Sequence, residues 1–259
     1  MTLICTSQYQ VDSQLAFELP GGKQLVLSRD FVEWFRGFTD AEGNFSLVKG
    51  KTNIFSFNFI IGLHIDDAGA LEYISNTLGL GKVIVNQVSK EARFIVTTQH
   101  GVAVIIAIFS KYNLNSTKHL NFLAFERAFL LYMKNNSLEA RKEVKPILEG
   151  IKSEMNSQRT DFNLPLNHYK ITPNWLLGFV EGDGWFSFSP KERLFTFGII
   201  QKSNKPLLEA IQDFLNNLVI SNSGTSLPKG MDKDNRFAEE CSVLGLDNSE
   251  SAIGITAKP

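Results

Sequence analysis

Hydrophobic and polar positions alternate in blocks along this chain, and the order of the blocks repeats. Ser28 or Asp30 is placed to cap a helix that begins near Phe31 and stops at Gly43. Strand alternation follows, with Phe45 and Leu47 against Ser46 and Val48. After a Lys49-Gly50-Lys51 turn, Phe55, Phe57 and Phe59 alternate with Ser56, Asn58 and Ile60, so one face of this hairpin is aromatic and the other more polar. Residues 67–78 place Leu71, Ile74 and Leu78 on one helical side, and Gly79-Leu80-Gly81 ends that helix. A second hairpin is expected over 82–89 and 92–98, then helices over 101–110 and 116–133. The order is helix, two strands, helix, two strands, helix.

A polar, charged stretch over 134–170, with a helix expected at 138–156, reads as a linker. The pattern then restarts: a helix at 173–183, strands near 185–189 and 193–201, and a helix at 205–217. Residues 1–27 have no clear period and carry the turn signal Pro20-Gly21-Gly22, so they read as an extension or flexible arm. Residues 221–259 are rich in Ser, Asn, Gly and Asp, and the second unit is expected to be truncated or divergent there, without its second hairpin. The boundaries that result are 1–27, 28–133, 134–170, 171–220 and 221–259, and the fold class is α+β with pseudo-twofold repeats.

The repeat is sharpest in two short segments. Trp34-Phe-Arg-Gly-Phe-Thr-Asp-Ala-Glu-Gly-Asn-Phe45 aligns without gaps on Trp175-Leu-Leu-Gly-Phe-Val-Glu-Gly-Asp-Gly-Trp-Phe186. Carboxylates match at Asp40/Glu181 and at Glu42/Asp183. Gly37 and Gly178 also match, and a helical glycine lets another backbone approach closely at a propensity cost near ~1 kcal/mol relative to Ala. Packed directly together, the two helices would bring Glu42 and Asp183 side by side. Two close carboxylates retain a proton unless a cation neutralises them. A hard divalent ion suits oxygen ligands and leaves room for phosphate oxygens and water.

Composition narrows the setting. With 43% hydrophobic residues and 21 Phe the chain can build an aromatic core, and no stretch approaches the ~20 apolar residues of a membrane span. The N-terminus lacks the pattern of a secretory signal. Cys5 and Cys241 are too few for a disulfide framework, which favours a reducing compartment. Net charge is −1 and pI about 6.4, against the basic balance of many nucleic-acid binders. The charge is uneven: Lys111, Lys118, Arg127, Lys134, Arg141, Lys142 and Lys145 face only Glu126, Glu139 and Glu143 in their segment, and 221–259 leans acidic.

The nine-residue cores Phe35–Gly43 and Leu176–Gly184 resemble those of the double-motif LAGLIDADG homing endonucleases and the related intron maturases. The stretches Ile61-Gly-Leu-His-Ile-Asp-Asp67, Phe109-Ser-Lys-Tyr112 and Ser116-Thr-Lys-His119 resemble the fungal mitochondrial, intron-encoded members. The resemblance implies a monomeric, Mg2+-dependent (or other hard divalent cation) endonuclease that makes a double-strand break in DNA. Glu42 and Asp183 would be the catalytic, metal-binding carboxylates. The backbone carbonyls of Ala41 and Gly182 would be further ligands. Asp40 and Glu181 would cap or buttress the helix pair. Gln201 would be a catalytic residue, with His64 as its first-half counterpart, although a satisfied strand-end histidine is the simpler reading of His64. The implied location is the mitochondrion. The competing readings are an RNA-binding maturase for the host intron and a degenerate, inactive frame.

A sheet with one face on helices offers its other face to a ligand, and a two-stranded ribbon fits the DNA major groove. The candidate DNA contacts are Asn44, Ser46, Val48, Lys49, Lys51, Ser56 and Asn58 in the first half, and Ser187, Ser189, Lys191 and Arg193 in the second. Strand parity in the second half is left open by Phe195 and Phe197.

Overall fold

A computed structural model describes residues 14–19, 21–50, 54–165, 167–191, 194–202, 204–222, 242–246 and 250–257. Lys51 and Arg193 lie outside the described residues. The elements are β1 (Gln14–Leu19), β2 (Lys23–Ser28), α1 (Arg29–Glu42), β3 (Gly43–Lys49), β4 (Phe55–His64), α2 (Ala68–Leu78), β5 (Lys82–Asn86), β6 (Glu91–Val96), α3 (Gln99–Lys111), α4 (Lys118–Lys134), α5 (Leu138–Ser153), α6 (Pro173–Asp183), β7 (Gly184–Ser189), β8 (Leu194–Lys202), α7 (Lys205–Asn222), β9 (Ser242–Leu246) and β10 (Glu250–Ala257).

The two motif segments form α1 and α6. Ser28 caps α1 through the Phe31 N–H, and Thr172 caps α6 through the Trp175 N–H, with Pro173 pre-set for the first turn. Each helix runs straight into a strand at its closing glycine, Gly43 or Gly184. The helices cross in backbone contact. A Cβ on Gly37 would sit 1.9 Å from the Trp175 carbonyl oxygen, and one on Gly178 would sit 2.1 Å from the Trp34 carbonyl oxygen. Only a residue without a side chain fits at either place.

Each motif helix feeds a four-stranded antiparallel sheet, and the two sheets have one topology. The first runs β3-β4-β6-β5 and the second β7-β8-β10-β9. The sequence expectation that 221–259 lacks the second hairpin is therefore corrected. β10 pairs with β8 from Glu250↔Lys202 to Ala257↔Phe195, and β9 pairs with β10. Both strands contain glycine, at Gly245 and Gly254, and carry little of the alternation of large apolar residues that marks β3 and β4. The expected flexible arm is corrected as well for its described part: β1 and β2 form a hairpin, with Leu15, Phe17 and Leu27 buried. Phe17 meets Tyr112 edge-on, which ties the hairpin to the end of α3.

The core of the first half is aromatic. Phe45, Phe57 and Phe59 face Phe109, Phe122, Phe125 and Phe129 from α3 and α4, with ring centroids 5.3–6.1 Å apart. The stretch expected as a linker joins this core. Val144, Leu148 and Ile151 of α5 are buried, and so is Met155. The second core is smaller, built from Trp175, Phe179, Ile199, Leu207, Leu208 and Ile211. Pseudo-symmetry breaks here. Phe45 is 1% exposed, whereas its counterpart Phe186 is 77% exposed and Phe188 also faces solvent.

Candidate active site at the paired helix ends

The helix pair brings together residues about 140 positions apart in the chain. Trp175 Nε1 donates to Asp40 Oδ2 at 2.8 Å, and Trp34 Nε1 donates to Glu181 Oε2 at 2.7 Å. Asp40 is buried and also accepts the backbone N–H groups of Asn115 (2.8 Å) and Ser116 (2.7 Å). Three donors on one carboxylate offset the cost of burying its charge. The first matched carboxylate of each motif thus binds the other helix, and Asp40 also anchors the loop that leads into α4.

The second carboxylates, Glu42 and Asp183, lie at the helix ends in partial burial. Gly182 sits against Ala41 and Glu42: a Cβ there would lie 2.4 Å from the Ala41 Cβ and 3.5 Å from Glu42 Oε1. Burial raises the pKa of Glu42, and Asp183 raises it further, while Lys118 opposes the shift. Burial likewise raises the pKa of Asp183, opposed by Lys118 and by the hydrogen bond from Gln201. Gln201 Nε2 donates to Asp183 Oδ2 at 2.5 Å.

Lys118 is the main residue the sequence reading leaves without a role. It opens α4, is half-buried, and its ammonium donates to the Ala41 carbonyl oxygen. Burial pushes its pKa down, against the pull of Asp183, Asp40 and Glu42. The segment Ser116-Thr-Lys-His119 was visible in the sequence, but nothing local ties it to a site 77 residues away. The carbonyl expected as a metal ligand is thus already bonded to an ammonium, and its second lone pair is left for another cation.

The residues present fit a hard divalent ion. Two partly buried carboxylates and nearby carbonyl oxygens are hard donors, and burial, the main cause of their raised pKa values, disfavours their charged forms, which a bound cation would stabilise. Among the described residues no group of three Asp, Glu, His or Cys side chains could hold a metal. A cation here would complete its shell with carbonyl oxygens, water or phosphate oxygens.

A groove of about 760 Å³ opens beside Glu42 and runs past Gly62, Leu63, His64, Lys90 and Arg93. The outward face of the first sheet carries Asn44, Ser46, Val48, Ser56 and Asn58, as expected from their alternation with buried neighbours. Lys49 does not belong with them. It shares parity with Phe45 and Leu47, and its ammonium turns toward α5 to bond Glu149 at 2.6 Å. Arg93, paired with Gly62 and ion-paired to Glu91 at 2.8 Å, is an outward cation that the sequence reading omits.

In the second half the open parity is resolved. Phe186 pairs with Phe197, ring to ring at 5.0 Å, so Ser187 and Ser189 lie on the opposite face. Lys191 is exposed in the following turn. His64 is not the counterpart of Gln201. Gly43 pairs with Ile61 and Gly184 with Ile199, which sets Leu63 opposite Gln201. His64 Nδ1 instead accepts the Asp66 N–H at 3.4 Å at the strand end.

Residues 35–129 match the LAGLIDADG endonuclease family. A probable intron-encoded endonuclease, Cox1-I1b of Schizosaccharomyces pombe, is 31% identical over 198 residues, covering 74% of this chain and 51% of that protein. An uncharacterized mitochondrial protein, RF1 of Saccharomyces cerevisiae, is 27% identical over 190 residues, covering 73% of this chain and 39% of that protein. The chain thus spans about half or less of the curated relatives it matches. The LAGLIDADG homing endonuclease I-GzeII, solved in complex with its DNA target, superposes with a TM-score of 0.63 at 26% identity, covering 87% of this chain and 77% of that one. Paired glycine-bearing helices, each ending in a carboxylate and each feeding a four-stranded sheet, define a two-repeat scaffold. Its first repeat carries the LAGLIDADG endonuclease match, over residues 35–129.

Proposed function

We propose that the chain is a site-specific DNA endonuclease of the intron-encoded, mitochondrial type, which hydrolyses one phosphodiester in each strand of a duplex. One observation carries the reading: Glu42 and Asp183, from separate repeats, converge at the ends of backbone-packed helices between two sheets of like topology. In the reaction a water oxygen bonds to phosphorus and the P–O bond to one sugar breaks. The net proton transfer runs from water to the departing sugar oxygen. Glu42 and Asp183 would hold a divalent cation, with the Gly182 and Ala41 carbonyls near it, and such a cation supplies Lewis-acid stabilisation of the phosphate and a more acidic water. Lys118, half-buried beside the Ala41 carbonyl and close to both carboxylates, would place a positive charge where negative charge builds on the phosphate. The outward polar face, with Asn44, Ser46, Ser56, Asn58, Ser187 and Ser189, supplies donors and acceptors for base edges and phosphates.

The test is cleavage of a plasmid carrying the joined-exon sequence of the host gene, with Mg2+ and with EDTA. Linear product in Mg2+ alone supports the reading. Tight binding of intron RNA without DNA cleavage in Mg2+ or Mn2+ would replace it with the maturase reading.

A further inference from the structure

The two carboxylates of the site are held differently. The register of β3 on β4 and of β7 on β8 makes Leu63 and Gln201 equivalent, each two residues beyond the strand partner of the helix-closing glycine. Gln201 donates its amide to Asp183. Leu63 borders the same groove as Glu42 and has no hydrogen to donate. Among the described residues no side chain donates a hydrogen bond to Glu42, which also has one more rotatable bond than Asp183. Lys118 lies close enough to interact with both carboxylates, and its interaction with Asp183 is the larger.

A duplex presents its two scissile phosphates through antiparallel strands related by a local twofold axis. A pseudo-twofold protein therefore offers one repeat's carboxylate and strand end to each phosphate. We infer that the two strands are cut in a fixed order, the strand served by the Asp183–Gln201 side first, because Gln201 pre-positions its carboxylate and Leu63 cannot. The inference rests on the endonuclease reading. Gln201 acts in it as a positioning residue, through Asp183. A carboxylate held in one rotamer spends no binding energy on being ordered, whereas Glu42 must be ordered as the reaction proceeds.

The experiment is single-turnover cleavage, in Mg2+, of a duplex with a different fluorophore on each strand, with a supercoiled plasmid in parallel. The unsubstituted protein should cut one strand at least about tenfold faster than the other, and the plasmid should pass through an open circle. Gln201→Leu should slow the fast strand selectively and bring the ratio toward one. Leu63→Gln should speed the slow strand. The strand ratio is internal to each reaction, so partial loss of folded protein does not change it. Equal rates in the unsubstituted protein, or a ratio that neither substitution moves, overturns the inference and leaves the endonuclease reading standing. A protein that cuts neither strand removes both.

Discussion

Trp175 hydrogen-bonds Asp40 across the helix pair, and the mirror bond from Trp34 to Glu181 completes a reciprocal tie between the repeats. The two bonds are alike in length but not in setting. Asp40 is 1% exposed, whereas Glu181 is open to solvent. Removing a donor from a buried carboxylate costs about 1–3 kcal/mol, while water replaces a donor lost at the surface. Trp175→Phe should therefore lower unfolding free energy by about that amount in urea titration. Trp34→Phe should stay within about 1 kcal/mol of the unsubstituted protein. Equal losses would show that the exposed bond matters more than its setting implies.

Gly37→Ala and Gly178→Ala each press a methyl group into the opposing backbone. Overpacking of this kind costs typically about 1–3 kcal/mol, and more where the neighbour is main chain. The expected result is a depressed melting temperature for either variant. Gly150→Ala, in open space on α5, should leave it unchanged or slightly raised. A normal melting temperature for Gly37→Ala would contradict the backbone contact.

Glu42→Gln and Asp183→Asn keep shape and remove charge. Each should reduce cleavage by at least about 10²-fold while leaving the Kd for DNA little changed, as gel shift in Ca2+ would show. Lys118→Met should also slow cleavage. It should move the acid limb of the pH–rate profile upward, because Lys118 lowers the pKa of both carboxylates.

His119 is 5% exposed, and its pKa is pushed down to about 4, first by burial and second by the neighbouring His168 imidazole. Its Nδ1 has no hydrogen-bond partner among the described residues. The unfolded chain binds a proton on this ring below the usual 6.5, and the folded chain does not until about 4. Stability from this group is therefore full above pH 6.5 and falls toward pH 4, with a slope of at most about 1.4 kcal/mol per pH unit. Denaturant midpoints measured across that window should show the slope, and His119→Gln should flatten it.

Phe45 and Phe186 occupy one position in the two repeats. Phe45→Ala should cost about 3–5 kcal/mol by leaving a cavity among four other rings, and Phe186→Ala should cost far less, since its ring already meets water. Chemical denaturation of both variants checks the difference.

Much of this architecture was visible in single residues. The matched Trp, Gly and carboxylate positions announce the helix pair, because close helix packing demands glycine where backbones touch. The alternation Phe55, Phe57, Phe59 marks a half-buried strand without ambiguity. Other features depend on partners far along the chain. Lys49 looks outward until Glu149 claims it, and Lys118 acquires its meaning only from Ala41. The pairing of His64 with Gln201 failed by one residue. The turn between β7 and β8 is shorter than that between β3 and β4, so motif spacing does not carry across it. A slip of one also exchanges the faces of a strand. β9 and β10 are not legible in the sequence because their glycine-containing stretches lack an alternation of large apolar residues and they are ordered by pairing, β10 on β8 and β9 on β10.

The backbone contact at Gly37 and Gly178 also works as a caliper. Side chains on the sheets can change one by one, but the separation of the two helix ends is set by main-chain atoms that cannot compress. On the proposed activity, the offset between the two broken phosphodiesters belongs to that joint rather than to the target. Variants of the sheet face selected for new DNA sequences should all leave single-stranded ends of one length.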